Sequence, residues 1–138
     1  MALPTKLTLE VVTPEGLLLR EDVDEVIAPG SEGYFGVRPG HTPMLASLGA
    51  GEISYRQGAA WHYLTCFWGF CEVLPDRVNV LAEIGERAAD IDLGRAEAAR
   101  ARAAERMKTI REEAGFAEAH AAYVRALTRL AVGRRRAG

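Results

Sequence analysis

Cysteine, histidine and long apolar runs are all scarce in this chain. Two cysteines among 138 residues make no disulfide framework, and a chain of this length buries roughly two thirds of its unfolded surface without one. Cys66 and Cys71 are five apart. On one regular strand that spacing puts them on opposite faces, which argues against a disulfide or a chelate and for buried thiols. His41, His62 and His120 share no ligand spacing, so no metal site is expected. The longest stretch without a formal charge, Gln57 to Cys71, is shorter and more polar than the ~20 apolar residues of a spanning helix. The opening Met1-Ala2-Leu3-Pro4-Thr5-Lys6 lacks the order of a signal peptide, which predicts none and a cytosolic, reducing setting. No nucleophile elbow, zinc motif or catalytic carboxylate pair occurs, so no enzyme is expected. No Lys follows Gly40, so Gly30–Pro43 is not a phosphate-cradling P-loop but a loop of tight glycine turns.

What the chain does contain is unevenly distributed. Residues 1–84 hold 5 basic and 11 acidic residues, and residues 85–138 hold 12 and 8. All six prolines precede residue 76, and sixteen alanines follow residue 84. These halves have different local preferences. They predict a strand-rich domain over 1–84 and a helical domain over 85–138, with a joint near Gly85–Asp90.

The first half reads as short strands. Leu7, Leu9 and Val11 alternate with Thr8, Glu10 and Val12. Thr13-Pro14-Glu15-Gly16 is a turn, and Val23, Val26 and Ile27 mark a strand stopped at Pro29-Gly30. Further strands are expected at 33–38, 43–49, 51–57, 60–66, 67–74 and 77–83, with turns at Gly49-Ala50-Gly51, Gln57-Gly58 and Pro75-Asp76. Many short strands at close spacing predict an antiparallel sandwich or barrel. The run Glu21, Asp22, Asp24, Glu25 reads as a solvated edge.

The second half reads as an antiparallel helical hairpin. Leu93, Ala96, Arg100, Ala103, Met107 and Ile110 recur at helical spacing, as do Phe116, His120, Tyr123, Leu127 and Leu130. Asp92 is placed to cap the first helix, and Ala114-Gly115 to break between the two. Alanine-rich seams bury little area, at ~25 cal/mol per Å², so the hairpin is expected to be marginally held and able to leave its docking place. Arg95 and Arg102 are seven apart, and Arg125 and Arg129 four apart, each pair on one helix face. If those faces meet, four guanidiniums converge, an arrangement that repels itself unless an anion fills it. The alternative is solvated faces pairing with Glu97, Glu105 and Glu118, which spacing alone favours.

The segment Pro29-Gly30-Ser31-Glu32-Gly33-Tyr34-Phe35-Gly36-Val37-Arg38-Pro39-Gly40-His41-Thr42-Pro43-Met44-Leu45 resembles the signature of the epsilon subunit of F-type ATP synthases. In the same order follow Phe70-Cys71-Glu72-Val73, Arg77-Val78-Asn79-Val80-Leu81-Ala82-Glu83 and Ile91-Asp92-Leu93-Gly94-Arg95-Ala96, each similar to a motif of that family. Glu10-Val11-Val12-Thr13-Pro14-Glu15 also fits. Three features depart from the family: Trp68 stands where a second glycine is usual, Gly94 lies in the first helical turn, and the tail Arg134-Arg135-Arg136 is unusually basic.

The resemblance implies a β-sandwich followed by two helices, in a non-catalytic rotor subunit on the cytoplasmic face of the bacterial plasma membrane. Its sandwich would join the gamma stalk to the ring of c subunits, with Glu32, Tyr34, His41 and Thr42 as contacts. Its hairpin, extended toward the alpha and beta subunits, would block ATP hydrolysis, with Arg102, Arg106, Arg111 and Arg125 meeting acidic residues of beta. Some bacterial relatives bind ATP at the hairpin. The matching positions are Glu86, Ile91, Asp92, Arg95, Ala96, Arg102, Arg125 and Arg129. The arginines would bind phosphates. Ile91 and Ala96 would pack around the base, and Glu86 and Asp92 would accept from base or ribose or order the arginines. A Mg²⁺ requirement is left open. The competing reading is a free-standing nucleic-acid module on the basic helices, but their Glu-interleaved pattern lacks a clean basic face.

Overall fold

Alternation decides the first strand: in β1 (Leu7–Thr13), Leu7, Leu9 and Val11 are fully buried. Six more strands follow: β2 (Gly16–Val23), β3 (Glu25–Gly30), β4 (Gly33–Val37), β5 (Met44–Gln57), β6 (Ala60–Leu74) and β7 (Arg77–Arg87). A short 3-10 turn, Ala88–Asp90, leads into helices α1 (Leu93–Thr109) and α2 (Glu113–Arg135). The computed structural model describes residues 3–135, so Arg136 of the basic tail lies outside the described residues. Contacts divide the chain into two compact units with the boundary between Glu86 and Arg87.

The strands are hydrogen-bonded in the order β2-β1-β7-β6-β5-β3-β4. The β1–β7 pairing is parallel, unlike the antiparallel pairs around it. The ribbon folds over as a sandwich: β2 touches β5 across three intervening strands. Leu19 and Val23 near one edge share a single core with Val26, Ala28 and Val37 near the other.

Several expected boundaries move. Val23 ends β2, whereas Val26 and Ile27 belong to β3. The strand expected at 33–38 within the glycine-rich segment Gly30–Pro43 is β4, one residue shorter. Gly49-Ala50-Gly51 is no turn, because β5 and β6 are long partners paired in one register from Met44↔Val73 to Gln57↔Ala60. The run from Glu21 to Glu25 is no plain solvated edge either. Asp24 accepts from Lys6 at 2.5 Å and from the Gly58 backbone N–H at 2.7 Å. Glu25 pairs with Arg56 at 3.3 Å and with Arg38 at 3.7 Å. The Lys6 and Gly58 donors hold the Asp24 carboxyl below its ordinary pKa.

The middle of β6 carries the sharpest local feature. Trp68 has φ 63°, and no other described non-glycine residue has a positive φ. That conformation costs roughly 1–2 kcal/mol for a residue with a Cβ, a cost that a glycine would not carry. Gly69 follows at φ 143°. Together they reset the strand's alternation. Leu64 and Cys66 face the core before the kink, and Cys71 and Val73 face it afterwards. Cys66 and Cys71 therefore both point into the core, correcting the expectation of opposite faces.

Both thiols are free and buried. Burial first, then Cys71, pushes the Cys66 pKa up to about 12, and burial first, then Glu72, does the same for Cys71. Because the fold favours the neutral thiol, this stabilisation is complete below the ordinary value of 9.0 and declines as pH rises from there toward about 12. The folded chain should leave both thiols unlabelled by an aromatic disulfide reagent at pH 8, and denaturant should release both. Fast labelling of either thiol without denaturant would contradict this burial.

Candidate functional site

Helix α1 begins where Asp92, in an extended conformation, accepts from the Arg95 backbone N–H at 3.0 Å. It ends at Thr109, and α2 starts at Glu113, so the break lies at 110–112. Ala114 and Gly115 are inside the first turn of α2, correcting the expected breakpoint. Gly115 faces the chain before it: a Cβ there would sit 2.8 Å from Ile110 Cγ2. At the other end of α2, a Cβ on Gly133 would sit 2.7 Å from Leu93 Cδ2 and 3.0 Å from Ile91 Cγ2. These two close approaches fix the antiparallel register, with Gly115 opposite Ile110 and Gly133 opposite Leu93.

They also fix the rotation of α2. Ala119, Ala126 and Leu130 are buried, whereas Phe116, His120 and Leu127 are exposed. Of the expected stripe, Leu130 is buried and Tyr123 half-buried, but Phe116, His120 and Leu127 are exposed and Ala119 and Ala126 take their place in the seam; Phe116 and His120 stack on each other with ring centroids 6.3 Å apart. On α1 the expected stripe holds, with Ala96 and Ala103 buried and Leu93, Arg100, Met107 and Ile110 half-buried.

The two sides of the hairpin differ chemically. Successive helical residues are about 100° apart, so in an antiparallel pair the positions just before each seam residue lie on one side and those just after lie on the other. After Ala96 comes Glu97 and after Gly133 comes Arg134, and these pair across the hairpin at 3.8 Å. Arg100 also pairs with Glu97 and meets Tyr123; Glu97 foremost raises its pKa. Just before the seam positions Ala96, Ala103, Ala126 and Leu130 stand Arg95, Arg102, Arg125 and Arg129. Register puts Arg95 level with Arg129 and Arg102 level with Arg125, each within roughly 3 Å along the axis. Arg95 and Arg102 are exposed, and Arg125 and Arg129 half-buried. Of the alternative partners, Glu97 binds Arg100 and Arg134, and Glu105 binds Lys108 at 3.6 Å. Arg106 is in the last turn of α1, and Arg111 is exposed between the helices.

The remaining expected ligand residues have structural partners. Ile91 and Ala96 are buried, at 4% and 3% exposure. Glu86, in the sandwich unit, accepts from the buried Thr65 hydroxyl at 3.0 Å.

In the sandwich, Glu32 and Tyr34 are exposed at the β3–β4 hairpin, and the Tyr34 hydroxyl accepts from the Glu52 backbone N–H at 3.1 Å. His41 Nδ1 is 2.6 Å from the Thr42 carbonyl oxygen. His41 helps line an open depression of about 380 Å³ with Glu25, Gly36, Arg38, Pro39 and Gly40. Glu32, Tyr34 and Thr42 do not line it.

Residues 6–88 match the family described as ATP synthase, delta/epsilon chain, beta-sandwich domain, and residues 89–133 match its long alpha-helix domain. The chain is 48% identical over 131 residues to ATP synthase epsilon chain 2 of Syntrophotalea carbinolica, covering 94% of this chain and 95% of that one. This chain belongs to the epsilon-chain family of ATP synthase. It is 47% identical over 127 residues to the epsilon chain of Syntrophobacter fumaroxidans, covering 92% of this chain and 95% of that one. A chain in the Euglena gracilis mitochondrial ATP synthase (OSCP/F1/c-ring, rotational state 1) shares the fold with TM-score 0.82 at 18% identity, over 99% of this chain and 84% of that one.

As an epsilon chain the protein is a non-catalytic subunit. Among the described residues no helix is long and apolar enough to cross a membrane, and no acidic, His or Cys cluster could hold a metal. One surface escaped the sequence reading. Asn79 donates to Glu72 at 3.0 Å, so both face outward, and two-residue alternation with the Leu45↔Glu72 pairing puts Leu45, Phe70 and Leu81 on that same outer face. Their exposures are 74%, 58% and 59%. The signal was present in the alternation of Phe70-Cys71-Glu72-Val73, but the faces could not be assigned without the kink at Trp68.

Proposed function

We propose that this epsilon chain is a rotor component of the ATP synthase central stalk. Its sandwich joins the gamma stalk to the c ring, and its hairpin is a mobile brake on ATP hydrolysis that binds ATP when closed. It would act peripherally, on the cytoplasmic face of the bacterial plasma membrane. The observation that carries the nucleotide reading is the common flank of Arg95, Arg102, Arg125 and Arg129. Guanidinium forks converging from two helices suit phosphate oxygens, and a ligand bridging the helices holds them closed. Without it, a seam of alanines and glycines gives the hairpin little apolar area to stay shut. When extended, Arg102, Arg106, Arg111 and Arg125 are the candidates for acidic residues of beta, with alpha the other neighbour in the catalytic head. Family membership replaces the free-standing nucleic-acid module.

Calorimetric titration of the full chain tests the nucleotide reading. ATP should bind saturably. Replacing Arg95 or Arg125 by Ala removes a charge-assisted contact of about 1.5–3 kcal/mol, a loss of roughly 10- to 150-fold in Kd. Absence of heat at millimolar ATP would leave the hairpin governed by something other than nucleotide.

For the sandwich, the exposed Leu45, Phe70 and Leu81 suit burial against gamma, and Glu32, Tyr34, His41 and Thr42 are the candidate rotor contacts. The paired substitution Phe70→Asp and Leu81→Asp should leave the chain folded, since both side chains face outward, yet prevent its co-purification with gamma. Normal co-purification would move the gamma contact to another face.

A further inference from the structure

Tyr34 is 59% exposed, yet its hydroxyl is engaged within the sandwich. The ladder between β3 and β5 pairs Ile27 with Ser54 and then Gly30 with Leu48, so Ala28 and Pro29 stand opposite the longer stretch Gly49 to Ile53. Pro29 has no backbone N–H to give a ladder. The backbone N–H of Glu52, inside that stretch, donates to the Tyr34 hydroxyl at 3.1 Å. Tyr34 is the partner of Pro29 on the edge strand β4, so its side chain crosses from β4 over β3 to β5. Neighbouring strands lie about 4.8 Å apart, so β4 and β5 are separated by about 10 Å. The phenol and its hydrogen bond fill that span. Gly51 leaves room for the crossing: a Cβ there would overlap the Tyr34 hydroxyl and lie 2.8 Å from Pro29 Cβ.

The turn that Tyr34 flanks is Ser31-Glu32, between the paired Gly30 and Gly33. Its other shoulder is tied to β5 as well. The Ser31 backbone N–H donates to the Ser47 carbonyl at 2.9 Å, and the two serine hydroxyls are 2.5 Å apart. Glu32, between these ties, is exposed and forms no ion pair among the described residues. The direction of its carboxylate therefore follows the turn.

We infer that Tyr34 is a positioning residue: it braces the β3–β4 turn on β5 and so aims the Glu32 carboxylate at the c ring. The inference rests on the proposed rotor contact and changes Tyr34 from a contact into the support of one. Strand β4 has β3 as its one neighbour in the sheet, so a tie that reaches past β3 limits how far the turn can swing.

The test is a double-mutant cycle on binding of the detergent-solubilised c ring by the full chain assembled with gamma. Glu32→Ala should weaken binding about tenfold or more. Tyr34→Phe keeps the ring and removes the hydroxyl, and should weaken it about two- to tenfold. In the Glu32→Ala background, Tyr34→Phe should change binding by less than about twofold, because the side chain it aims is gone. Tyr34→Phe should also speed hydrogen exchange at the Glu52 amide while the urea midpoint of the chain stays near that of the parent. An equal loss from Tyr34→Phe in both backgrounds, or none in either, would overturn the positioning role and leave the Glu32 contact standing. No loss from Glu32→Ala would remove the Glu32 contact itself, and this inference with it.

Discussion

Gly69→Ala should destabilise the sandwich more than any other single-methyl change in the chain. A Cβ at this position would lie 1.9 Å from the Leu81 carbonyl oxygen, 2.9 Å from its carbon and 3.0 Å from Ala82 Cα. All three are backbone atoms of β7, which is hydrogen-bonded to β6, so neither strand can retreat without breaking the ladder. The φ of 143° adds strain that a side chain would feel even with space available. The kink also sets which residues of β6 face the core, so a local shift there would carry Cys71 and Val73 out of place. The expected loss is about 4 kcal/mol or more, against a total stability of about 5–15 kcal/mol for a domain. Urea denaturation of the full chain measures it. A loss below about 1 kcal/mol would show that β7 yields at Leu81, and that the close approach is not required.

The second large effect concerns the assembled enzyme. Deleting residues 89–138 should raise ATP hydrolysis severalfold when ATP is scarce and change it little when ATP is abundant. The reasoning is mass action. A ligand that binds only the closed hairpin stabilises that state by RT ln(1 + [L]/Kd), about 2.7 kcal/mol when ATP exceeds its Kd a hundredfold. That is roughly a hundredfold shift in population. On the proposed mechanism the shift would vanish at low ATP, the hairpin would extend, and the brake would engage. The truncated subunit has no brake to engage, so its hydrolysis should follow ATP concentration without the low-ATP suppression. Hydrolysis unchanged by the deletion at every ATP concentration would sink the inhibitory role. Suppression that is relieved by the deletion yet insensitive to ATP would keep the brake and discard its nucleotide control.

The departures from the family signature now have local physical meanings. Trp68 occupies a left-handed position where a glycine would rest without strain. It is 36% exposed, and its ring lies 6.2 Å from that of Phe67. Gly94, in the first turn of α1, has only the capping oxygen of Asp92 near the place of a Cβ, at 3.4 Å. Nothing in the structure explains why alanine does not stand there.

Local chemistry was enough to settle much of the architecture. Leu7, Leu9 and Val11 alternate with polar neighbours, so one face of β1 had to be buried. Pro14 and Gly16 stop that strand because a proline lacks a ladder donor and a glycine takes the positive φ of the turn. Asp92 capped α1 because a short acceptor beside unpaired backbone N–H groups has few better uses. The sandwich-then-hairpin order, the helix periods and the grouping of arginines on each helix were all legible for the same reason: each depends on residues within one turn or one strand of one another. Tertiary structure alone decided the rest. Periodicity placed Phe116, His120 and Leu127 on the seam with Tyr123 and Leu130, and the approach of Gly133 to Leu93 and of Gly115 to Ile110 turned Ala119 and Ala126 inward in place of those three. That choice set Arg125 and Arg129 level with Arg102 and Arg95. The parity of Cys66 and Cys71 depended on a kink that β7 permits only because Gly69 carries no side chain. Asp24 looked solvated because its partners, Lys6 and Gly58, lie 18 and 34 residues away. Such contacts are fixed by how the strands come together, which no local pattern records.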